Sequence, residues 1–264
     1  MAKTAVITGA SGGIGLELAR VFAREGYNLV LIARSAGKLN QLAEELKTKH
    51  KTQVRVIAKD LTSVTAPQEI FDTLTSDGVQ VDVLINNAGF ASFGHFATET
   101  KLEDELQMMQ LNMVTLTLLT KLFVKPMAER RSGQIMNVAS TASFQPGPLM
   151  AVYYATKAYV LSFSEAIARE LDGTGVTVTA LCPGPTESGF QERAAMQDSK
   201  LISNATLPVM TSSAVAEQAY KSLIAGKTII IPGFMNKVGS LLPRFVPRGM
   251  ATKIIMNMQE RVRH

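Results

Sequence analysis

Short continuous apolar runs alternate with helical stripes of apolar residues along most of the chain. The runs predict strands at residues 4–9, 28–33, 54–57, 81–85, 134–139, 176–181 and 228–231. A run without polar alternation is typical of a strand that is covered on both faces of its sheet. The strands therefore indicate a parallel sheet that is buried between two layers of helices.

Between the strands, apolar residues recur at three- and four-residue spacing, which predicts helices. The stripes place helices near residues 14–25, 39–46, 70–74, 102–126, 153–171 and 213–225, the fourth of them ending near Pro126. Strand and helix thus alternate along the chain. This order predicts an α/β fold, doubly wound around a parallel sheet of about seven strands.

Length and charge refine this picture without changing it. The 264 residues suffice for one α/β domain, which we place at residues 1–231, followed by an extension at 232–264. The net charge of +5 arises in the extension, which has six basic residues and one acidic residue, whereas residues 1–231 have 21 of each. A body without excess positive charge argues against a nucleic-acid-binding protein.

The sequence favours a reducing compartment. No apolar run is long enough to span a bilayer, and the first residues lead into a strand instead of a signal peptide. The single cysteine, Cys182, follows apolar Ala180 and Leu181 and excludes an internal disulfide. We expect a cytoplasmic protein with Cys182 in its core.

A glycine-rich turn, TGASGGIG at residues 8–15, joins the first strand to the first helix. Glycine permits a tight turn there, and the helix N-terminus offers N–H groups to a phosphate. The spacing differs from the usual G-x-G-x-x-G fingerprint, and such a turn also occurs for structural reasons alone. Its place after the first strand favours nucleotide binding. The expected contacts are Gly9, Ser11, Gly13, Ile14 and Gly15.

The second strand ends at Ala33 and is followed by Arg34. An NAD-specific site normally has an acidic residue near this point, which accepts a hydrogen bond from the ribose 2′-hydroxyl. A guanidinium instead matches a 2′-phosphate in charge and geometry. The alternative is an ordinary surface arginine, since Gly12 offers no side chain as further basic support. We predict NADP(H) as the cofactor.

Tyr153 and Lys157 lie four residues apart at the start of a predicted helix. This spacing places both side chains on one face. An ammonium beside a phenol favours the phenolate and lowers the tyrosine pKa from about 10, which creates a proton donor for neutral pH. Taken alone, the pair is more typical of a solvated helix surface, so its meaning depends on other residues.

Polar clusters also follow two other strands. Asp60 and Leu61 come after the third strand, and Asn86-Asn87-Ala88-Gly89 follows the fourth. The carboxyl ends of parallel strands are the ligand-binding edge of such a sheet. Each cluster alone is also typical of an ordinary turn.

Together, these motifs resemble the short-chain dehydrogenase/reductase family. The matching features, in the family's order and spacing, are TGxxxGIG at 8–15, NNAG at 86–89, Asn112, Ser140, Tyr153-x-x-x-Lys157 and the Pro183-Gly184 turn. Each motif is weak singly, and the set covers residues 4 to about 231. The resemblance implies a Rossmann-type fold, a nicotinamide cofactor, and hydride transfer between that cofactor and an alcohol or carbonyl.

The resemblance implies a role for each catalytic candidate. Tyr153 is the expected general acid/base, and Lys157 is expected to lower its pKa and to bind the nicotinamide ribose. Ser140 is expected to hold the substrate oxygen, and Asn112 to anchor a water in a proton relay from Lys157. The hydroxyl groups of Ser140 and Tyr153 suit an oxygen that gains negative charge. Tyr154 is not expected to be catalytic, because it lies three positions before Lys157, whereas the motif requires four.

The resemblance also implies further cofactor contacts. Asp60 and Leu61 match adenine-contacting positions, and Asn87 matches an asparagine that stabilises the sheet near the cofactor. The remaining expected contacts are Asn86, Ala88 and Gly89 at the adenine ribose, Pro183 and Gly184 in the turn, and Thr186 and Ser188 at the nicotinamide carboxamide. Ser188 stands where many members have threonine. No metal site is expected.

The expected substrate is a small apolar carbonyl compound or alcohol. Residues 90–100 and 183–210 are expected to form the mouth of the site, the second segment as a lid. The apolar candidates for its lining are Phe90, Phe93, Phe96, Phe144, Leu149, Phe190 and Met196. His95 is a further candidate, although a loop histidine is more often only solvated.

The extension carries two apolar stripes interrupted by basic residues. The stripes comprise Phe234, Val238, Leu241, Leu242 and Phe245 before the prolines, then Met250, Ile254, Met258 and Val262. Helices of this kind have four possible roles: they lie on an anionic membrane, cap an apolar pocket, dock on a partner subunit or pack against the body of the protein. We expect peripheral membrane contact. The family resemblance further implies a homodimer or homotetramer, formed through the long helix and the Tyr153 helix.

Two other functions stay open at this point. A non-catalytic NADP(H)-binding redox sensor or membrane-recruited scaffold has no need of the full set Asn112, Ser140, Tyr153 and Lys157. Nucleotide-sugar epimerisation or dehydration needs a larger substrate domain than residues 232–264 provide. The sequence therefore favours a carbonyl reductase.

Overall fold

The structure, a computed structural model, describes residues 2–189 and 209–260. Its strands are β1 Thr4–Thr8, β2 Asn28–Ala33, β3 Val54–Ala58, β4 Val83–Asn86, β5 Gly133–Val138, β6 Val176–Leu181, β7 Thr186–Glu187, β8 Met210–Thr211 and β9 Ile229–Ile230. Its α-helices are α1 Gly13–Arg24, α2 Ala36–His50, α3 Ala66–Ser76, α4 Leu102–Met109, α5 Leu116–Glu129, α6 Ala151–Glu170, α7 Ser212–Ile224, α8 Phe234–Leu241 and α9 Arg248–Gln259.

A seven-stranded parallel sheet forms the centre of the fold, in the order β3-β2-β1-β4-β5-β6-β9. β1 pairs with β2 on one side and with β4 on the other, so the direction of winding reverses at β1. Ligands bind beyond the carboxyl ends of the strands at such a switch point. The predicted doubly wound α/β fold is confirmed. The small parallel pair of β7 and β8 was not predicted, because two-residue strands carry no hydrophobic pattern.

The core explains why the strands are apolar without alternation. Ile7, Leu31 and Ile85 belong to a buried cluster on one face of the sheet, which Phe22 of α1 covers. A second cluster lies on the opposite face and includes Phe123 of α5. Helices therefore exclude water from both faces, as the continuous runs indicate.

The predicted long helix is interrupted. A π-helical turn at Gln110–Thr115 separates α4 from α5. Pro126 lies inside α5, which continues to Glu129, so the predicted end at Pro126 is wrong. Proline removes one helical hydrogen bond. The helix continues because Phe123 and Met127, on either side of Pro126, are buried in the core.

The extension folds back onto the body. A single 3₁₀ turn at Leu242–Arg244 follows α8, and Ile255 of α9 packs on the buried cluster that contains Tyr153 and Tyr154. Val262, part of the second predicted stripe, lies outside the described residues. None of the helices in the described ranges combines the length and the apolar character that crossing a bilayer requires.

Candidate active site

A cavity of about 860 Å³ opens at the carboxyl edge of the sheet. It brings together the predicted site residues except Gly15, Asn86 and Asn112, which lie behind its wall. The predicted residues along it are Gly9, Ser11, Gly13, Ile14, Arg34, Asp60, Leu61, Asn87, Ala88, Gly89, Ser140, Tyr153, Lys157, Pro183, Gly184, Thr186 and Ser188. The strand order assembles these distant segments, because the carboxyl ends of the parallel strands meet at one edge of the sheet. Tyr153 and Lys157 join them from the first two turns of α6.

The glycine turn makes room by omitting side chains. Gly9 has a φ of +67°, and a Cβ on it would lie 2.9 Å from the Cα of Ala88. A Cβ on Gly15 would lie 2.5 Å from the carbonyl oxygen of Gly9, so Gly15 allows α1 to pack against the turn and does not line the cavity. At the N-cap of α1, Gly12 offers no side chain to the first N–H groups. These groups suit an anion.

Thr8 and Asn87 fasten the ends of β1 and β4 to each other. The Thr8 hydroxyl accepts hydrogen bonds from the N–H groups of Asn87 at 2.9 Å and Ala88 at 3.0 Å. The Asn87 amide donates in return to the carbonyl oxygen of Thr8 at 2.9 Å. The reversal point of the sheet therefore keeps its shape through side-chain bonds. The sequence marked Asn87 for this position but not Thr8.

Tyr153 and Ser140 form a side-chain hydrogen bond inside the cavity. Ser140 lies two residues beyond the end of β5 and accepts a further bond from the N–H of Ala142 at 3.1 Å, which fixes its Oγ. Burial raises the pKa of Tyr153 to about 12, and the bond with Ser140 opposes this increase. The predicted lowering of this pKa by Lys157 is not found. Removal of the phenol from water dominates its titration.

Lys157 is 5% exposed, and burial lowers its pKa to about 8. Its Nζ donates to the carbonyl oxygen of Val138 at 2.8 Å and lies 5.8 Å from the centre of the Tyr153 ring. The end of β5 thus holds the ammonium over the Tyr153 ring. It stands beside the phenol, as the four-residue spacing predicts.

Asn112 lies in the π-helical turn and is almost fully buried. Its Nδ2 donates to the carbonyl oxygen of Phe90 at 3.0 Å and to the hydroxyl of Thr156 at 3.1 Å. A Cβ on Gly89 would lie 2.9 Å from Asn112 Oδ1 and 3.6 Å from Lys157 Nζ. The amide therefore lies behind Gly89, close to the ammonium. A π-helical turn is frequent at functional sites.

The far end of the cavity is basic. Arg34 and Ser35 line it, together with Lys38 from the first turns of α2 and Lys59 after β3. Sequence reasoning missed both lysines. Lys59 stands directly before Asp60 at a strand end, a signal that was present. Lys38 lines the cavity because α2 starts beside the same edge of the sheet, which the sequence does not show. Of the two lysines, Lys59 also forms an ion pair with Glu69.

Asp60 carries a fixed negative charge next to this basic end. Its Oδ1 accepts from the N–H of Thr62 at 3.0 Å and from the Thr62 hydroxyl at 2.9 Å. These bonds, the backbone one most strongly, lower the pKa of Asp60, and attraction to Arg34 adds to the effect. The carboxylate is therefore ionised and oriented at neutral pH.

The opposite end of the cavity is apolar. Its walls combine residues from the body with residues from α9, namely Phe90, Leu111, Met150, Tyr154, Ile255 and Met258. The Gln259 side chain, 1% exposed, donates to the hydroxyl of Tyr154 and so fastens α9 next to Tyr153. The sequence offered no signal for this bond, which joins residues 105 positions apart.

Several predicted lining residues lie elsewhere. Phe93 and Leu149 pack in the cluster behind Tyr153, Phe144 belongs to another cluster, and His95 and Phe96 are exposed outside the cavity. These corrections share one reason. Apolar residues outside regular helices and strands follow no fixed period, so the sequence does not show which of them face the core, the cavity or solvent. Phe190, Met196 and most of the predicted lid lie outside the described residues.

A family model described as short chain dehydrogenase matches residues 3–199. The chain belongs to the short-chain dehydrogenase family. It is therefore an oxidoreductase of a family that uses a nicotinamide nucleotide, NAD(H) or NADP(H), and acts on a small molecule. The sequence resemblance and the fold that it implies are confirmed.

Several relatives of this short-chain dehydrogenase are similar to it over nearly the whole chain. The very-long-chain 3-oxoacyl-CoA reductase of Mus musculus is 28% identical over 272 residues, covering 100% of this chain and 82% of that protein. A short-chain dehydrogenase from Sphingobium yanoikuyae in complex with NADPH has a TM-score of 0.81 and 30% identity, covering 99% and 98% of the two chains. The bulky-bulky ketone specific alcohol dehydrogenase from Comamonas testosteroni has a TM-score of 0.76 and 30% identity, covering 96% and 98%.

Proposed function

We propose that this chain is an NADP(H)-dependent carbonyl reductase that acts on an apolar ketone or aldehyde. One observation carries the proposal: the hydrogen-bonded pair of Ser140 and Tyr153 lies with Lys157 in a single cavity. That cavity has a basic end and an apolar end. The first suits a phosphorylated nucleotide and the second an apolar substrate.

The cavity fits a dinucleotide. The turn at residues 8–15 offers a side-chain-free approach to the N-terminus of α1, where N–H groups and the helix dipole favour an anion. The Asp60 carboxylate suits hydrogen-bond donors of a base or ribose. Arg34 and Lys38 at the basic end suit the additional phosphate of NADP(H). The NADPH complex of the Sphingobium yanoikuyae relative supports this choice.

The residues around Tyr153 perform the proton chemistry. Ser140 and Tyr153 donate hydrogen bonds to the carbonyl oxygen, and Tyr153 transfers its proton to that oxygen. Lys157, held at the Val138 carbonyl oxygen, orients the ribose and stabilises the tyrosinate left behind. Bound NADPH supplies the hydride that the carbonyl carbon receives. Asn112 positions the segment at Phe90 and the hydroxyl of Thr156 next to this group.

The apolar walls support the substrate class. Phe90, Leu111 and Met150 from the body face Ile255 and Met258 from α9 across the cavity. Burial of apolar surface there contributes binding energy in proportion to the area removed from water. The activities named for the Mus musculus and Comamonas testosteroni relatives, on 3-oxoacyl-CoA and on bulky ketones, point to the same class.

The extension belongs to this function. We propose that residues 1–231 form the catalytic domain and that residues 232–264 complete its substrate end. We also place the enzyme in the cytoplasm, because its single cysteine, Cys182, is buried and needs no oxidising compartment. Separation of cell fractions by centrifugation, followed by immunodetection, tests the location.

Oxidation of NADPH with a panel of aliphatic, aromatic, steroid-like and long-chain carbonyl compounds tests the reaction. We expect turnover with apolar ketones or aldehydes and none with sugars or sugar phosphates. Calorimetric titration with NADPH serves as the control for an intact site. NADPH binding without turnover of any carbonyl would contradict the proposal and favour the non-catalytic redox sensor.

A further inference from the structure

The extension exposes its apolar side chains and buries its polar ones. In α8, Asn236 and Ser240 face the body and are buried, whereas Phe234, Val238 and Leu241 face solvent. The Asn236 amide donates to the carbonyl oxygen of Pro232 at 2.8 Å, so the inward face is held by hydrogen bonds. A helix on the surface of a globular protein normally buries its apolar face and exposes its polar face.

The exposed apolar side chains continue from α8 into α9. Phe234 is 78% exposed and Phe245 is 83% exposed. We call this surface the apolar ridge; it comprises Phe234, Met235, Val238, Leu241, Leu242, Phe245, Met250 and Ile254. Exposed apolar side chains concentrated in one segment in this way are typical of a surface that contacts a protein or a membrane.

Only positive charge accompanies the apolar ridge. Lys237, Arg244, Arg248 and Lys253 are exposed among its residues, and no acidic residue occurs between Glu217 and Glu260. The rest of the chain has as many acidic as basic residues, so this charge is local. Apolar side chains flanked by cations match the interface of a bilayer with anionic headgroups.

The charge also argues against a second copy of the chain on this surface. A symmetric dimer places the same patch of each subunit face to face. The positive residues of one copy would then face only positive residues of the other, and like charges repel at the interface. Negatively charged headgroups remove this repulsion.

We propose that the apolar ridge docks this protein on the surface of an anionic bilayer, with the phenylalanines inserted between the headgroups. α9 connects this surface to the cavity, since Met250 and Ile254 face outward while Ile255 and Met258 line the cavity. Docking does not depend on the proposed reaction, because the ridge residues lie outside the catalytic group. The test therefore needs no substrate.

Flotation of the full chain with vesicles tests the proposal. The probes are phosphatidylcholine vesicles with and without phosphatidylserine. We expect stronger binding to the anionic vesicles, and added salt should weaken it because it screens the exposed charges. Phe245→Glu should reduce partitioning to the anionic vesicles about tenfold or more, since it removes a large apolar side chain from the interface.

Two comparisons make the outcome decisive. Val64→Glu is the matched control, because Val64 is 67% exposed but lies outside the extension, and it should float like the native chain. Lys237→Gln with Arg244→Gln should weaken binding to anionic vesicles only. Equal flotation of the Phe245 and Val64 variants would overturn the proposal. So would a smaller oligomer of Phe245→Glu in sedimentation velocity without lipid, which would assign the ridge to a second copy.

Discussion

At the scale of single residues, water exclusion governs the two titrating groups at the centre of the cavity. Tyr153 and Lys157 lie side by side, yet burial shifts each towards its neutral form, raising the first pKa to about 12 and lowering the second to about 8. A four-residue spacing reveals that two groups are neighbours. It does not reveal how much water surrounds them.

The tyrosine provides the most direct test of the catalytic assignment. Tyr153→Phe removes the proton donor while keeping the ring, so carbonyl reduction should fall about 10²- to 10⁴-fold. The dissociation constant for NADPH should change little. Tyr159→Phe is the matched control, because this tyrosine lies on the same helix but bonds to Thr117 outside the cavity. Steady-state kinetics of carbonyl reduction compare the two variants. A comparable loss of activity in both would refute the assignment.

Lys157 predicts the pH dependence of reduction. Because its pKa is about 8, the side chain is an ammonium below this pH and becomes neutral above it. Tyr153 keeps its proton throughout, since its pKa is about 12. The value of kcat/KM for reduction should therefore be constant below pH 8 and decrease above it. A profile that stays flat to pH 10 would contradict this prediction.

Stability follows the opposite sign, which separates the two effects. The ordinary lysine pKa of 10.5 exceeds the folded value of about 8, so the unfolded chain binds more protons between them. The contribution of Lys157 to the free energy of unfolding therefore rises with pH across this window. Deprotonation of Lys157 just above pH 8 should therefore reduce activity without itself destabilising the fold. Thermal melts in the same buffers check this point.

We also expect single residues to decide whether NADPH or NADH binds more tightly. Arg34→Asp should weaken NADPH binding roughly tenfold to a hundredfold, since hydrogen bonds to a charged group stabilise by about 1.5–3 kcal/mol. It should improve NADH binding through the ribose 2′-hydroxyl. Lys38→Gln should have a smaller effect in the same direction. Calorimetric titration measures the affinity of the native chain and of each variant for NADPH and for NADH. Tighter binding of NADH than of NADPH by the native chain would contradict the prediction.

At the scale of elements, the role of a helix depends on which of its faces meets another element. α9 presents Ile255 and Met258 to the cavity and Ile254 to solvent, although all three are large and apolar. Its position is held by the bond between Gln259 and Tyr154. The extension therefore forms part of the cavity wall.

The two faces of α9 predict different mutational effects. Met258→Ala removes apolar contact with the substrate, so KM for an apolar carbonyl should rise roughly tenfold. The value of kcat and the affinity for NADPH should remain near native, because Tyr153 and the basic end are untouched. Ile254→Ala, at an exposed neighbour of Met258 that does not line the cavity, is the control. Equal KM values for the two variants would show that α9 does not contact substrate.

At the scale of the whole molecule, an exposed stripe on the interrupted long helix supports self-association. Its members are Leu102, Leu106, Met109, Val114 and Leu118. We expect a homodimer or homotetramer through this face. Leu106→Glu would bury a charge at such an interface and should therefore produce smaller species in sedimentation velocity. A native chain that sediments as a monomer would contradict this expectation.

Much of this architecture was predictable from the sequence. The apolar runs located the strands of the large sheet, because strands covered on both faces must be apolar throughout. Most residues of the strand-end motifs at 8–15, 60–61 and 86–89 line one cavity, because parallel strands bring their carboxyl ends to one edge of the sheet. The continuation of α5 through Pro126 was not predictable, because its cause is packing and not local propensity.

The sequence by itself determined which residues exist to do chemistry and which side of the sheet holds them, because periodicity and strand direction are local properties of the chain. Only the tertiary structure decided the environment of those residues. The burial that shifts the pKa of Tyr153 and Lys157, the lysines at the basic end, and the closure of the cavity by α9 all depend on contacts between distant segments. The Gln259–Tyr154 bond joins such segments, and no spacing in the sequence records it.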